Sequence, residues 1–183
     1  MKEVYIQFMA GVNPQTSSVL VQNINDFVRQ GFEKIHLLIS TPGGSVFHGL
    51  SIYNMLKGLP VEVITYNFGS VDSIGVILFC AGRERYSVPN ARFLIHEVSF
   101  TIQGQAGLSF DEYMLHEHLK NLKIDKSNIA KVIASTIGKT EKDILKMINE
   151  RTTLSPEQAK EIALVTDIKT ELIPKGATVI TIT

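Results

Sequence analysis

The sequence predicts an α/β domain with a largely parallel sheet, and three observations carry that prediction. Short apolar, β-branched runs alternate with helical segments through the first half of the chain, the order of successive β-α units. The clearest run, Lys34 to Ser40 (KIHLLIS), is apolar on both faces, as a strand covered from two sides must be. Gly- and Pro-containing turns separate the runs. With 183 residues, 44% of them apolar, the chain has enough material for one core.

In chain order, Val4 to Met9 reads as a strand and Pro14 to Gln30 as a helix. The KIHLLIS strand ends at Thr41-Pro42-Gly43-Gly44, and Val46 to Leu56 continues as a helix. Val61 to Phe68 (VEVITYNF) is the next strand, followed by a turn at Gly69-Ser70 and a small apolar helix from Ser73 to Gly82. Phe93 to Phe100 (FLIHEVSF) is a third buried strand. The second half is helical. Ser109 and Glu112 form a capping-box pattern ahead of Tyr113, Leu115, Leu119, Leu122, Ile129 and Ile133 at near-helical spacing, and Gly138 closes this long segment. Thr140 with Asp143 caps another helix, and Ser155, Pro156 and Gln158 start a third. Leu164-Val165 and Thr178 to Thr183 read as closing strands. No linker interrupts the chain, so residues 1–183 are expected to form one domain.

The composition excludes more than it names. Eighteen basic residues balance eighteen acidic ones, leaving no global charge to favour nucleic acid or anionic membrane. A single cysteine, Cys80, excludes an internal disulfide framework and a cysteine-based zinc site, and fits a reducing cytosol. The longest apolar stretch, Ile74 to Ala81, is far short of the ~18 residues a membrane-spanning helix needs, and MKEVYIQF lacks the apolar region of a secretory signal. The expected location is therefore cytoplasmic. The mean hydropathy of +0.12 calls for a large core or for an apolar surface covered by another subunit, and Leu115, Leu119 and Ile133 are the candidates for that surface.

Two glycine-containing turns follow two successive buried strands, at the sheet edge where sites of α/β proteins are built. Gly43-Gly44 leaves backbone N–H groups uncovered by side chains. Ser73 stands where a strand turns into a helix, beside the free amides of the helix start, above all that of Ile74. His96 arrives at the same edge on the third strand. Serine, histidine and two amide donors make up most of an acyl-transfer site. Each part also has a plainer reading. Gly43-Gly44 is a tight turn without the Gly-Lys-Ser/Thr ending of a phosphate loop. Ser73 is equally an N-cap, a role open to Ser70 as well, and His96 is equally a satisfied buried histidine. His116 and His118 lie two apart on different sides of a helix and read as solvated rather than as metal ligands. His36 reads as structural and Cys80 as core. Lys34, Lys57 and Lys120 read as solvated charges unless one approaches Ser73.

Five segments in order resemble the proteolytic subunit family of the Clp protease, ClpP. They are Ile39 to Leu56 (ISTPGGSVFHGLSIYNML), Gly69 to Gly82 (GSVDSIGVILFCAG), Pro89 to Glu97 (PNARFLIHE), Gln103-Gly104-Gln105-Ala106, and Leu154-Ser155 through Val165. The resemblance spans about Val4 to Ile168. It implies a ClpP/crotonase-like spiral of β-α units with a protruding helical handle at approximately 98–136. It also implies a serine endopeptidase acting on unfolded or short peptides inside an oligomeric ring chamber. Ser73 is then the nucleophile, His96 the general base, and the amides of Gly44 and Ile74 the oxyanion hole. The stretches near Gly44 to Val46 and Val98 to Gln103 are the substrate-binding backbone. No metal or cofactor is implied. The implied partners are a polypeptide substrate and further copies of the chain in heptameric rings, two of them stacked. An AAA+ ATPase is implied less directly, because the first strand starts almost at Met1 where family members carry a longer pore-lining segment.

The sequence departs from the family at the third triad position, where Arg151 stands in place of an aspartate. A cation there does not stabilise an imidazolium. Asn149, Glu150, Thr152 or Asp72 are the substitutes in reach, Asp72 being also readable as a solvated neighbour. Val98 replaces the proline that follows the histidine by two. These departures favour a catalytically inactive ring subunit as the alternative. A crotonase-like acyl-CoA enzyme is a further alternative that lacks an acidic residue in place of the Ser-His pair.

Overall fold

A computed structural model describes residues 2–99 and 111–183. Among them, β1 (Glu3–Phe8), β2 (Lys34–Thr41) and β3 (Glu62–Asp72) form the parallel centre of an eight-stranded sheet, with α1 (Pro14–Arg29) and α2 (Val46–Gly58) as crossovers. α3 (Gly75–Cys80) follows β3, and β4 (Glu84–Ser87) and β5 (Arg92–Ile95) then pair with different halves of β3. α4 (Glu112–Ile137) and α5 (Glu141–Asn149) lead to β6 (Thr152–Leu154), which runs antiparallel to β5. α6 (Pro156–Glu161), β7 (Asp167–Ile168) on β4, and β8 (Thr178–Ile182) on β1 complete the fold. The sheet path is β6-β5-β3-β2-β1-β8.

Strand alternation explains the two faces. Val4, Ile6 and Phe8 of β1, with Ile35, Leu37 and Ile39 of β2, point into the main core. There they meet Leu20 and Ile24 of α1, Ile52 and Leu56 of α2, all of α3, and the second half of α4. Tyr5, Leu38, Ile64 and Tyr66 point the other way, into a small cluster with Tyr86 that Leu172, Ile173 and Ala177 cover. His36 stands with this second group, as its place in the alternation demands.

The alternating α/β order holds, and four local expectations are corrected. Gly69-Ser70 is not a turn: β3 continues to Asp72, because β5 offers it a ladder through Ser70–Arg92, Val71–Phe93 and Asp72–Leu94. The mismatch with β2 is absorbed between Ile39 and Thr41, where the register shifts. The third strand stops at Ile95, so His96 lies just beyond it. Its partner β6 begins at Thr152, and Arg151 before it takes a left-handed φ of 52°, which ends the ladder. Leu164-Val165 is buried but not a strand. Both amides turn back to the carbonyl of Ala159, closing α6, and the ladder falls on Asp167–Ile168. The long helix is capped by Asp111, whose side chain accepts from the Met114 N–H, which makes Glu112 the first helical residue; Ser109 lies outside the described residues. The short strands β4 and β6 carry too few residues to announce themselves by pattern.

Candidate active site

The turn after β2 is built by Thr41. Its hydroxyl donates to the Ala10 carbonyl (2.6 Å) and accepts from the Gly43 N–H (3.2 Å). The Val12 N–H donates to the Gly43 carbonyl and the Ser45 N–H to the Val12 carbonyl, both at 2.8 Å, so Gly44 is clamped beside Val12. Its own N–H has no acceptor among the described residues. Only glycine fits here. Gly43 and Gly44 have φ of 90° and 144°, and a Cβ on Gly43 would lie 2.6 Å from Ser73 Cβ, one on Gly44 2.3 Å from the Val12 carbonyl oxygen. The glycine turn is thus pressed directly against the serine.

Ser73 occupies the corner between β3 and α3 with a φ of 57°, a left-handed conformation that is costly for a residue with a Cβ. Its N–H donates to the Leu94 carbonyl (2.8 Å) and its carbonyl accepts from the Val76 N–H (3.0 Å), so both flanking elements hold the corner. The plainer reading of Ser73 as an N-cap does not apply. The cap position of α3 is Ile74, with no side-chain cap hydrogen bond, and Ser70 does not cap either. The Ile74 N–H, like that of Gly44, has no acceptor among the described residues.

Gly44, Ser73, Ile74 and His96 line one cavity of about 60 Å³, floored by Ile129 and Ile133 of α4. No lysine lines it. Within it the Nδ1 of His96 is 2.8 Å from the Glu97 carbonyl oxygen. A carbonyl only accepts, so this contact needs a proton on Nδ1, and in the neutral ring that leaves Nε2 as the acceptor nitrogen. No hydrogen bond joins His96 to Ser73 among the described residues.

The β5–β6 ladder ends at the pair Ile95–Thr152, so His96 and Arg151 are the residues just beyond it on the two strands. The Arg151 side chain is exposed and has no hydrogen bond or ion pair among the described residues. The substitutes are engaged elsewhere. Asn149 Oδ1 accepts from Lys126 (2.7 Å), and Glu150 faces Lys146 at 3.8 Å. Thr152 donates its hydroxyl proton to the Met147 carbonyl. Asp72 is not solvated: it is 7% exposed, with Oδ2 on Arg92 Nη2 at 2.7 Å and Oδ1 buried without a partner.

The remaining candidates fall outside this cavity. His36 is buried between a Tyr66 hydroxyl (2.8 Å) and Glu3 (3.2 Å) and stacks on Tyr5; desolvation pushes its pKa down despite the carboxylate. His48 bonds the Ser45 hydroxyl, and His116 faces Glu112 at 3.6 Å. Cys80 is buried in the core and its thiol is pushed up to about 11, first by desolvation. Lys34 pairs with Glu62 and Glu3 at the far end of the strands. Ile133 belongs to the core at 1% exposure, unlike Leu115 and Leu119, so it leaves the expected covered surface. Val98 and Ser99 have no regular structure, and residues 100–103 of the expected substrate-binding segment lie outside the described residues. Two residues went unnoticed in the sequence. Thr41 was legible as a hydroxyl directly before the Pro-Gly-Gly turn, whereas nothing local to Lys126 marks it.

Comparison with known proteins gives one answer. Residues 1–171 match the Clp protease family. The ATP-dependent Clp protease proteolytic subunit of Bdellovibrio bacteriovorus is 34% identical over 151 residues, covering 81% of this chain and 69% of that protein. The ATP-dependent Clp protease proteolytic subunit 2 of Corynebacterium efficiens is 32% identical over 160 residues, covering 86% and 75%. A solved structure of a ClpP1 point mutant from Listeria monocytogenes superposes with a TM-score of 0.80 over 91% of each chain at 22% identity, a likeness of fold.

Proposed function

We infer the function from this premise: the chain belongs to the Clp protease family, and we propose that it is a serine endopeptidase acting on unfolded or short peptides. One observation carries the reading. Ser73 is held in a left-handed corner and lines one cavity with His96 and with Gly44 and Ile74, whose amides have no acceptor among the described residues.

In the proposed reaction Ser73 Oγ bonds to the substrate carbonyl carbon as its proton passes to His96 Nε2. The Gly44 and Ile74 amides donate to the oxyanion. The C–N bond then breaks and the leaving amine takes the proton from His96. Water repeats the sequence on the acyl-serine, releasing the acid and restoring Ser73. The serine–histidine hydrogen bond forms as the substrate binds, since catalytic hydrogen bonds commonly tighten in the Michaelis complex. Tyr113, Leu115, Leu119 and Ile124 expose apolar surface along α4, which supports a ring assembly in which further copies cover it. The relatives' descriptions as ATP-dependent support an AAA+ ATPase as partner for folded substrates.

A fluorophosphonate followed by peptide mass spectrometry tests the reading. The expected adduct is on Ser73 of the assembled protein and is absent from Ser73→Ala; no adduct in the assembled protein overturns it. Gel filtration tests the ring, which a stable 20 kDa monomer would refute. Arg151 in place of the family's aspartate favours a second reading, a ring subunit without activity, and the same labelling separates the two.

A further inference from the structure

We propose that the main-chain carbonyl of Glu97 stands in for the third member of the triad, and that Lys126 is the positioning residue that holds it there. The inference deepens the peptidase reading and rests on it. A general-base histidine needs an acceptor on Nδ1–H, to keep the proton off the nitrogen that faces the serine and to fix the ring. No carboxylate bonds His96 among the described residues: Asp72 and Glu150 are engaged elsewhere, the neutral Asn149 accepts from Lys126, and Arg151 occupies the position of the family's aspartate. The acceptor present is the Glu97 carbonyl oxygen at 2.8 Å.

That carbonyl belongs to a segment without regular structure just past β5, so its direction depends on what fixes Glu97. Lys126 Nζ donates to both carboxylate oxygens of Glu97, at 2.8 and 3.0 Å, and to Asn149 Oδ1 at 2.7 Å. All three ammonium protons are used. One side chain of α4 thereby ties the histidine's segment to the end of α5, two residues before Arg151. The Lys126 side chain is 24% exposed and that of Glu97 47%, so the clamp is a partly exposed pair whose strength lies in its three hydrogen bonds. Its Ile129 and Ile133 neighbours on the same helix floor the cavity, which sets the clamp in register with the site. A neutral carbonyl stabilises the imidazolium less than a carboxylate does, so the device orients His96 more than it charges it.

The test compares the assembled wild-type protein with Lys126→Met, which keeps the stem and removes the ammonium, and with Lys126→Arg. Histidine labelled with ¹⁵N, assigned through His96→Gln, reports the His96 tautomer independently of activity. The expected result for Lys126→Met is loss of the dominant Nδ1–H tautomer. Its fluorophosphonate acylation rate and kcat for a fluorogenic peptide should fall about 10–100-fold, with KM within about threefold. Lys126→Arg should restore most of both. A wild-type tautomer and rate in Lys126→Met overturns the clamp, as does a wild-type His96 that carries its proton on Nε2. Absence of any Ser73 adduct in the wild type instead overturns the peptidase reading, and the tautomer measurement then still decides whether Lys126 holds Glu97.

Discussion

The two halves of the candidate site are held by different kinds of force. On the serine side, backbone does the work. Ser73 sits in a strand-to-helix corner pinned at both ends by main-chain hydrogen bonds, with a glycine turn in contact and the wholly buried helix α3 behind it. On the histidine side, His96 lies beyond the last ladder pair of β5, and side chains from α4 and the end of α5 fix its neighbour. A corner made of main chain and packed core has one geometry. A residue held through a lysine–carboxylate contact at a partly exposed position has a softer restraint, since such contacts contribute far less than buried packing. The serine and the turn beside it are therefore the more firmly held part of the candidate site, and the histidine the less firmly held.

That contrast can be broken most severely at Ser73. Replacing it with alanine should reduce peptidase activity by at least about 10⁴-fold while leaving the thermal midpoint nearly unchanged, measured by peptide hydrolysis and calorimetry. Gly44→Ala comes next. A Cβ forced against Val12 moves the proposed oxyanion donor, so kcat should fall roughly 10²–10³-fold, with a lowered melting temperature as the mark of strain. The rigidity of α3 is read by Cys80. Its thiol is raised from 9.0 to about 11, so thiolate is scarce at pH 8 and appears only as the pH climbs towards that value. Iodoacetamide at pH 8 should modify native protein at least about 100-fold more slowly than urea-unfolded protein. The smallest effect belongs to the histidine side. Arg151→Gly relieves a left-handed φ of 52° and should stabilise the fold by about 0.5–1 kcal/mol in denaturant titrations. A large loss of activity in that variant would show that Arg151 does more than mark the end of the ladder.

Local sequence determined much of this protein. The short apolar, β-branched runs KIHLLIS and VEVITYNF placed β2 and β3, Ser155-Pro156 placed α6, and the Pro-Gly-Gly and Asp-Ser-Ile-Gly turns pointed to the serine and its two amides. Those features depend on neighbours within a few residues, so periodicity and turn chemistry report them directly. What escaped the sequence depends on partners far along the chain. β3 runs through Gly69-Ser70 because β5 pairs with it, and β5 ends before His96 because β6 ends opposite. Asp72 looked solvated and is buried on Arg92, twenty residues away. Lys126 meets Glu97 and Asn149 only because α4 and α5 fold back across the sheet edge. Tertiary structure decided how His96 is held, since that depends on polar groups brought together from three separate segments and no local pattern encodes their meeting.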